Sequence, residues 1–113
     1  MTYSISHEAV SDLEKIWVYT FENWSIEQAD RYFNLIFTEI EFICGNPLSG
    51  SNIDHIKSKY FRIKVKSHFI YYKVNEKKQT IEIIRILHEM MDQDSHTDFK
   101  FSSLNLKQSN SYF

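Results

Sequence analysis

The chain has 113 residues, of which 42% are hydrophobic, 16% aromatic and 25% charged. That length holds one domain, since domains take roughly 100–200 residues, and 2 Trp, 7 Tyr and 9 Phe supply enough apolar surface to exclude disorder over most of the chain. The formal net charge of −2 argues against a uniformly basic nucleic-acid binder, but it is a sum of opposed blocks. Residues 1–56 carry nine acidic and two basic side chains, a net of −7; residues 57–91 carry nine basic and three acidic, a net of +6; residues 92–113 add −1. Such asymmetry points to a polar partner for one face.

The single cysteine, Cys44, cannot close an intramolecular disulfide, which points to a reducing compartment. Residues 1–10 hold no basic cluster followed by an apolar stretch. No apolar run approaches the roughly 20 residues that span a bilayer. The chain is therefore expected to be cytoplasmic, with no membrane partner.

A short strand is expected at Tyr3-Ser4-Ile5-Ser6. Apolar residues then recur at Ala9, Leu13, Ile16, Trp17, Phe21 and Trp24, the stripe of an amphipathic helix. Ser6 stands at its N-cap position and Glu8 near the positive end of its dipole. Ser25 with Gln28 matches a capping box, and the stripe Ala29, Tyr32, Phe33, Ile36, Ile40, Ile43 predicts a second helix. Gly45 is expected as its C′ residue, with Pro47 preventing continuation. The short break near Ser25 makes the pair an antiparallel hairpin, with Trp17 in the core and Trp24 at the tip.

After the Gly45-Asn46-Pro47-Leu48-Ser49-Gly50 cluster the period becomes two. Phe61, Ile63 and Val65 alternate with Tyr60, Arg62, Lys64 and Lys66, which predicts an edge strand with a basic outer face over residues 57–66. A turn at Lys66-Ser67-His68 leads to a strand over residues 69–74. The polar loop 75–79 leads to a third strand over 80–87, apolar on both faces near its end and so interior to the sheet. The order β-αα-βββ describes an α+β domain, a helical hairpin packed on a mostly antiparallel sheet. Residues 93–113 are polar with isolated Phe99, Phe101, Leu104, Leu106, Tyr112 and Phe113. They are expected to be an extension to a 1–92 domain, mobile alone or docked on a groove or a partner.

The order of landmarks resembles the ParE branch of the RelE/ParE family of bacterial type II toxins. The residues that carry it are Tyr3-x-Ile5-Ser6, Ala9-x-x-Asp12-Leu13-x-x-Ile16-x-x-Tyr19-Thr20, Trp24 and Gln28-Ala29. They continue with Pro47-x-x-Gly50, Phe61-Arg62-Ile63, His68-Phe69-Ile70-Tyr71-Tyr72, Ile83-x-Arg85-Ile86-Leu87-His88 and Met91-Asp92. The resemblance covers residues 3–92 and implies the two-layer RelE/ParE fold. It further implies a toxin neutralised in a hetero-oligomer by a cognate, ParD-like antitoxin. ParE-like members act on DNA gyrase and block replication, whereas RelE-like members cleave messenger RNA on the ribosome; one fold serves both.

Metal-free RNA cleavage needs an acid or base near the 2′-hydroxyl and cations against the phosphate. The candidates for that alternative are Arg62, Arg85 and His88. The candidates for partner binding are Trp24, Lys57, Lys59, Arg62, Lys64 and Arg85. Arg62 and Arg85 lie among apolar neighbours, where an arginine needs a defined partner. A ribosome-bound nuclease relies on a dense basic surface, so a net charge of −2 and a pI of about 6.2 favour gyrase inhibition over cleavage. A third reading is an inactive binding module. His7, His55, His68 and His96 lack metal-ligand spacing and Cys44 is expected in the core. With 2 Gly a phosphate cradle is excluded, and no cofactor is expected.

Overall fold

The computed structural model describes residues 1–92; the expected extension, residues 93–113, lies outside the described residues. Strand β1 (Thr2–Ile5) is followed by helices α1 (His7–Asn23) and α2 (Ile26–Gly45). Strands β2 (Ser51–Asn52), β3 (Tyr60–Val65), β4 (His68–Asn75) and β5 (Thr80–His88) follow, and a 3₁₀ turn, Glu89–Asp92, closes the fold. The sheet order is β1-β5-β4-β3-β2, with β1 parallel to β5 and the other pairs antiparallel. The α+β class and the hairpin on a mostly antiparallel sheet are therefore observed.

Both helix starts follow from their caps. Ser6 Oγ accepts from Ala9 N at 3.0 Å and Ser25 Oγ from Gln28 N at 3.0 Å, each satisfying an otherwise orphaned amide. Only half of the predicted capping box forms, because the Gln28 side chain accepts from Arg31 Nη1 instead. The end of α2 differs from expectation: Gly45 is its last helical residue and Asn46 caps it at φ −141°, its side chain donating to Phe42 O at 3.0 Å.

The main core lies between the hairpin and the inner face of the sheet. Ala9, Leu13 and Ile16 from α1 and Ile36, Ile40 and Ile43 from α2 meet Val65, Ile70, Tyr72, Ile81, Ile83 and Ile86. Trp17, expected there, is only half-buried: it stacks on Phe21 with ring centroids 5.4 Å apart and donates to Asp30 Oδ1 at 3.0 Å. A second, smaller core covers the opposite face, where Ile53, Tyr71 and Leu87 pack with Ile56, Tyr60 and Phe69. The two-residue β2 was not anticipated. It pairs with Arg62 and Phe61 and shields that half of the expected edge strand.

Tyr72 explains the Pro47-x-x-Gly50 spacing. Its buried hydroxyl donates to Pro47 O at 2.9 Å and accepts from Gly50 N at 3.0 Å. A Cβ at Gly50 would stand 2.7 Å from Tyr72 Oη and 2.8 Å from Arg62 O, so this close approach admits no side chain.

Candidate functional site

The pairing of β1 with β5 stops at Ile83, leaving the rest of that edge of β5 to be satisfied by side chains. Ser6 N donates to Ile83 O at 3.0 Å and Ser6 Oγ to Ile84 O at 2.8 Å. Asp12, six residues further along α1, takes the place of the missing strand by accepting from Ile86 N at 2.9 Å. The same carboxylate receives Arg85 Nε at 2.8 Å and Arg85 Nη2 at 2.9 Å, a bidentate pair. Asp12 is 7% exposed and Arg85 3%. A bulge at this level puts Tyr71 opposite Arg85 and Tyr72 opposite Ile83.

On the outer face of the sheet the cations lie over aromatic rings. Arg62 Cζ is 4.2 Å and Lys64 Nζ 5.9 Å from the Phe69 ring centroid. Lys57 Nζ is 5.7 Å and Lys73 Nζ 5.9 Å from that of Tyr60. These distances fall within the roughly 6 Å over which a ring face attracts a cation. Lys64 Nζ also lies 2.7 Å from Glu89 Oε1, and its hydrogen bond holds the Glu89 carboxyl below its ordinary range. Lys59 occupies a left-handed turn at φ 67° with its amide bonded to Asp54.

At the hairpin tip a cleft of about 360 Å³ opens between the helices and the β3–β4 turn. It is lined by Ile16, Tyr19, Thr20 and Trp24 from α1 and its C-cap, Gln28 and Tyr32 from α2, Lys66, Ser67 and His68 from the β3–β4 turn and the start of β4, and His88 from the end of β5. His68 is 5% exposed. Tyr32 Oη donates to Val65 O at 3.1 Å and lies 2.6 Å from His68 Nδ1; with its proton directed at Val65, the imidazole N–H is the donor to Tyr32. Burial, reinforced by His88 and opposed by Glu89, pushes His68 down to about 4, so it is neutral near pH 7. Burial likewise raises the Tyr32 phenol. The His68 and His88 rings meet edge to face with centroids 5.2 Å apart.

The sequence-predicted residues therefore fall in three separate places. Arg62 and Lys64 share the outer sheet face, with Lys57 and Lys59 in the loop leading to it and Lys57 over the Tyr60 ring. Trp24, 66% exposed, stands at the cleft beside His88. Arg85 does not join either group, because its guanidinium is buried against Asp12. His88 lies three residues beyond Arg85 along β5, about 10 Å of strand, and its Nδ1 accepts from Met90 N at 3.0 Å. Arg62, Arg85 and His88 thus do not converge on one point. Sequence reasoning missed Asp12, Tyr32, Tyr60 and Phe69. A carboxylate inside an apolar helical stripe was the available signal for Asp12; Tyr60 already stood on the outward face of the strand pattern, whereas Tyr32 and Phe69 look like ordinary core aromatics in the sequence.

Residues 3–93 match the family described as ParE toxin of type II toxin-antitoxin system, parDE. The chain belongs to the ParE toxin family. It is 34% identical over 92 residues to "Toxin ParE1" of Mycobacterium tuberculosis, covering 81% of this chain and 93% of the relative. It is 34% identical over 94 residues to "Toxin ParE1" of Caulobacter vibrioides, covering 83% and 95%. Among solved structures it resembles "Chromosomal ParDE TA system from P. aeruginosa" with a TM-score of 0.66 and 16% identity, over 78% of this chain and 95% of that one; that likeness concerns the fold. The chain is thus a ParE-type toxin of a toxin–antitoxin system. Among the described residues of this toxin, no helix is long and apolar enough to cross a membrane.

Proposed function

We propose that this toxin arrests growth by binding DNA gyrase rather than by cutting RNA, and that a ParD-like antitoxin silences it by laying an acidic segment over the outer sheet face. The observation that carries the first half is the fate of Arg85. The cation a nuclease would need against a scissile phosphate is 3% exposed and held by Asp12, and His88 lies about 10 Å along the strand from it. Such a set lacks the convergence that phosphoryl chemistry requires. Support for the second half comes from Arg62, Lys64, Lys57 and Lys73 over Phe69 and Tyr60, since aromatic and arginine side chains together dominate protein interfaces. The chain acts within a cytoplasmic hetero-oligomer and is not itself an enzyme.

Induced expression of the full chain tests this reading. The expected outcome is growth arrest with filamentation and intact transcripts, reversed by co-expressing the antitoxin from the neighbouring reading frame. Translation-dependent cuts in messages that vanish with His88→Ala would overturn it in favour of a nuclease. Normal growth of cells that hold soluble, folded protein would overturn it in favour of an inactive binding module.

A further inference from the structure

The last turns of α1 carry the run Ile16-Trp17-Val18-Tyr19-Thr20-Phe21, which holds no charge. At 3.6 residues per turn such a run is largely apolar on every side, the pattern of a helix that is buried all round. The fold covers one side only. Ile16 and Thr20 are buried, whereas Val18, Tyr19, Phe21 and, at the turn, Trp24 and Ile26 are between 43% and 66% exposed. The exposed rings are already ordered: Tyr19 meets Trp24 edge to face with centroids 6.2 Å apart, and Phe21 stacks on Trp17. Docking on them therefore freezes little further side-chain motion, and an exposed apolar cluster of this kind marks a protein interface.

The charge of the tip has one sign. Residues 16–30 carry Glu22, Glu27 and Asp30 and no lysine or arginine. Glu22 and Glu27 are exposed, and Asp30 accepts from Trp17. Lys66 reaches the adjoining cleft from the β3–β4 turn, not from the hairpin. The complement of this surface is an apolar socket rimmed by lysine or arginine. An acidic antitoxin segment has the wrong sign for it, and the outer sheet face read as its seat lies on the far side of the sheet from the hairpin. Two copies meeting tip to tip would bring like charges together. Gyrase has the right sign, because a protein that holds DNA phosphates lines its DNA track with lysine and arginine. We propose that the hairpin tip, residues 17–27, is the surface with which the toxin grips gyrase. Trp24 seats in an apolar socket at the margin of the DNA-holding surface, and Glu22 and Glu27 face its cations. The choice of partner rests on the gyrase reading above; the choice of surface rests on the uncovered apolar tip.

Three full-length proteins test it with purified gyrase and relaxed plasmid: the parent, Trp24→Ala and Glu22→Lys/Glu27→Lys. All three positions are exposed, so the fold is retained, and calorimetric affinity for the antitoxin is expected to stay within about twofold of the parent. The toxin concentration that halves supercoiling is expected to rise about thirtyfold or more for Trp24→Ala, the loss of an interface anchor. For the double charge reversal it is expected to rise about fivefold or more. Unchanged inhibition by both variants overturns the proposal. Antitoxin affinity that falls in step with inhibition also overturns it, because the tip is then the antitoxin's seat. So does a parent that sediments as a dimer where Trp24→Ala is a monomer, since the occupant is then a second copy. Complete supercoiling beside a parent toxin that arrests growth removes gyrase as the partner. The same variants induced in cells then read the tip itself, which stands if they no longer arrest growth and falls if they do.

Discussion

The Asp12–Arg85 pair makes a strong quantitative demand on the fold. Replacing Arg85 by Met removes both guanidinium contacts from the buried Asp12 carboxylate and leaves it the Ile86 amide; replacing Asp12 by Leu takes the bidentate counter-ion from the guanidinium and the acceptor from that amide. Breaking a buried ion pair from one side costs about 3–5 kcal/mol, a large part of the roughly 5–15 kcal/mol that holds such a domain together. Each kcal/mol moves Tm by roughly 4–8 °C at this size, so either single variant is expected to melt about 12 °C or more below the parent. The double variant Asp12→Leu/Arg85→Met leaves no uncompensated charge and is expected to be more stable than either single one, since apolar replacement of a buried pair is often neutral or better. Urea and thermal unfolding followed by circular dichroism measure all three. Single variants that each cost less than about 1 kcal/mol, adding without coupling in the double, would refute the burial argument.

Other expectations follow from the same geometry. The folded-state value of His68, about 4, lies below the roughly 6.5 of an unfolded histidine; the unfolded chain therefore binds the extra proton, and stability falls as pH drops from about 6.5 to 4. The full loss is on the order of 3 kcal/mol, and His68→Gln is expected to flatten that part of a urea-midpoint profile against pH. Gly50→Ala forces a Cβ to within 2.7 Å of Tyr72 Oη and is expected to cost about 1–3 kcal/mol in unfolding free energy. Antitoxin affinity measured by calorimetry is expected to weaken by about 2 kcal/mol or more with Phe69→Ala or Arg62→Glu. In the same assay Lys59→Ala, in the approach loop, is expected to change it by less than about 0.5 kcal/mol.

Local signals made the hairpin legible: both capping serines, the α2 stripe and the α1 stripe from Ala9 to Ile16 lie where the structure has them, while Phe21 and Trp24 at the far end of the first stripe are exposed. The β3–β5 meander was legible for the same reason. What the sequence hid is non-local. The parallel pairing of β1 with β5 joins residues nearly eighty positions apart, and the two-residue β2 is too short to carry a period. The bulge in β5 opposite Tyr71 and Tyr72 shifts the face of later residues, so Ile86 joins Ile83 in the core under the helices while Arg85 pairs with Tyr71. Its isolation among Ile83, Ile84, Ile86 and Leu87 did signal a defined counter-ion, but the choice of Asp12 needed the fold. The strand alternation placed Tyr60 on the outer face with Arg62 and Lys64 but gave Phe69 no face, and only the structure shows cations standing over both rings.

Gyrase inhibition is tested most directly by supercoiling of relaxed plasmid with purified gyrase, ATP and the full-length toxin. The expected result is loss of supercoiled product with accumulation of cut plasmid at micromolar toxin, both relieved by stoichiometric antitoxin and both retained by His88→Ala. Complete supercoiling by gyrase in the presence of folded toxin that still arrests growth in cells would contradict the account.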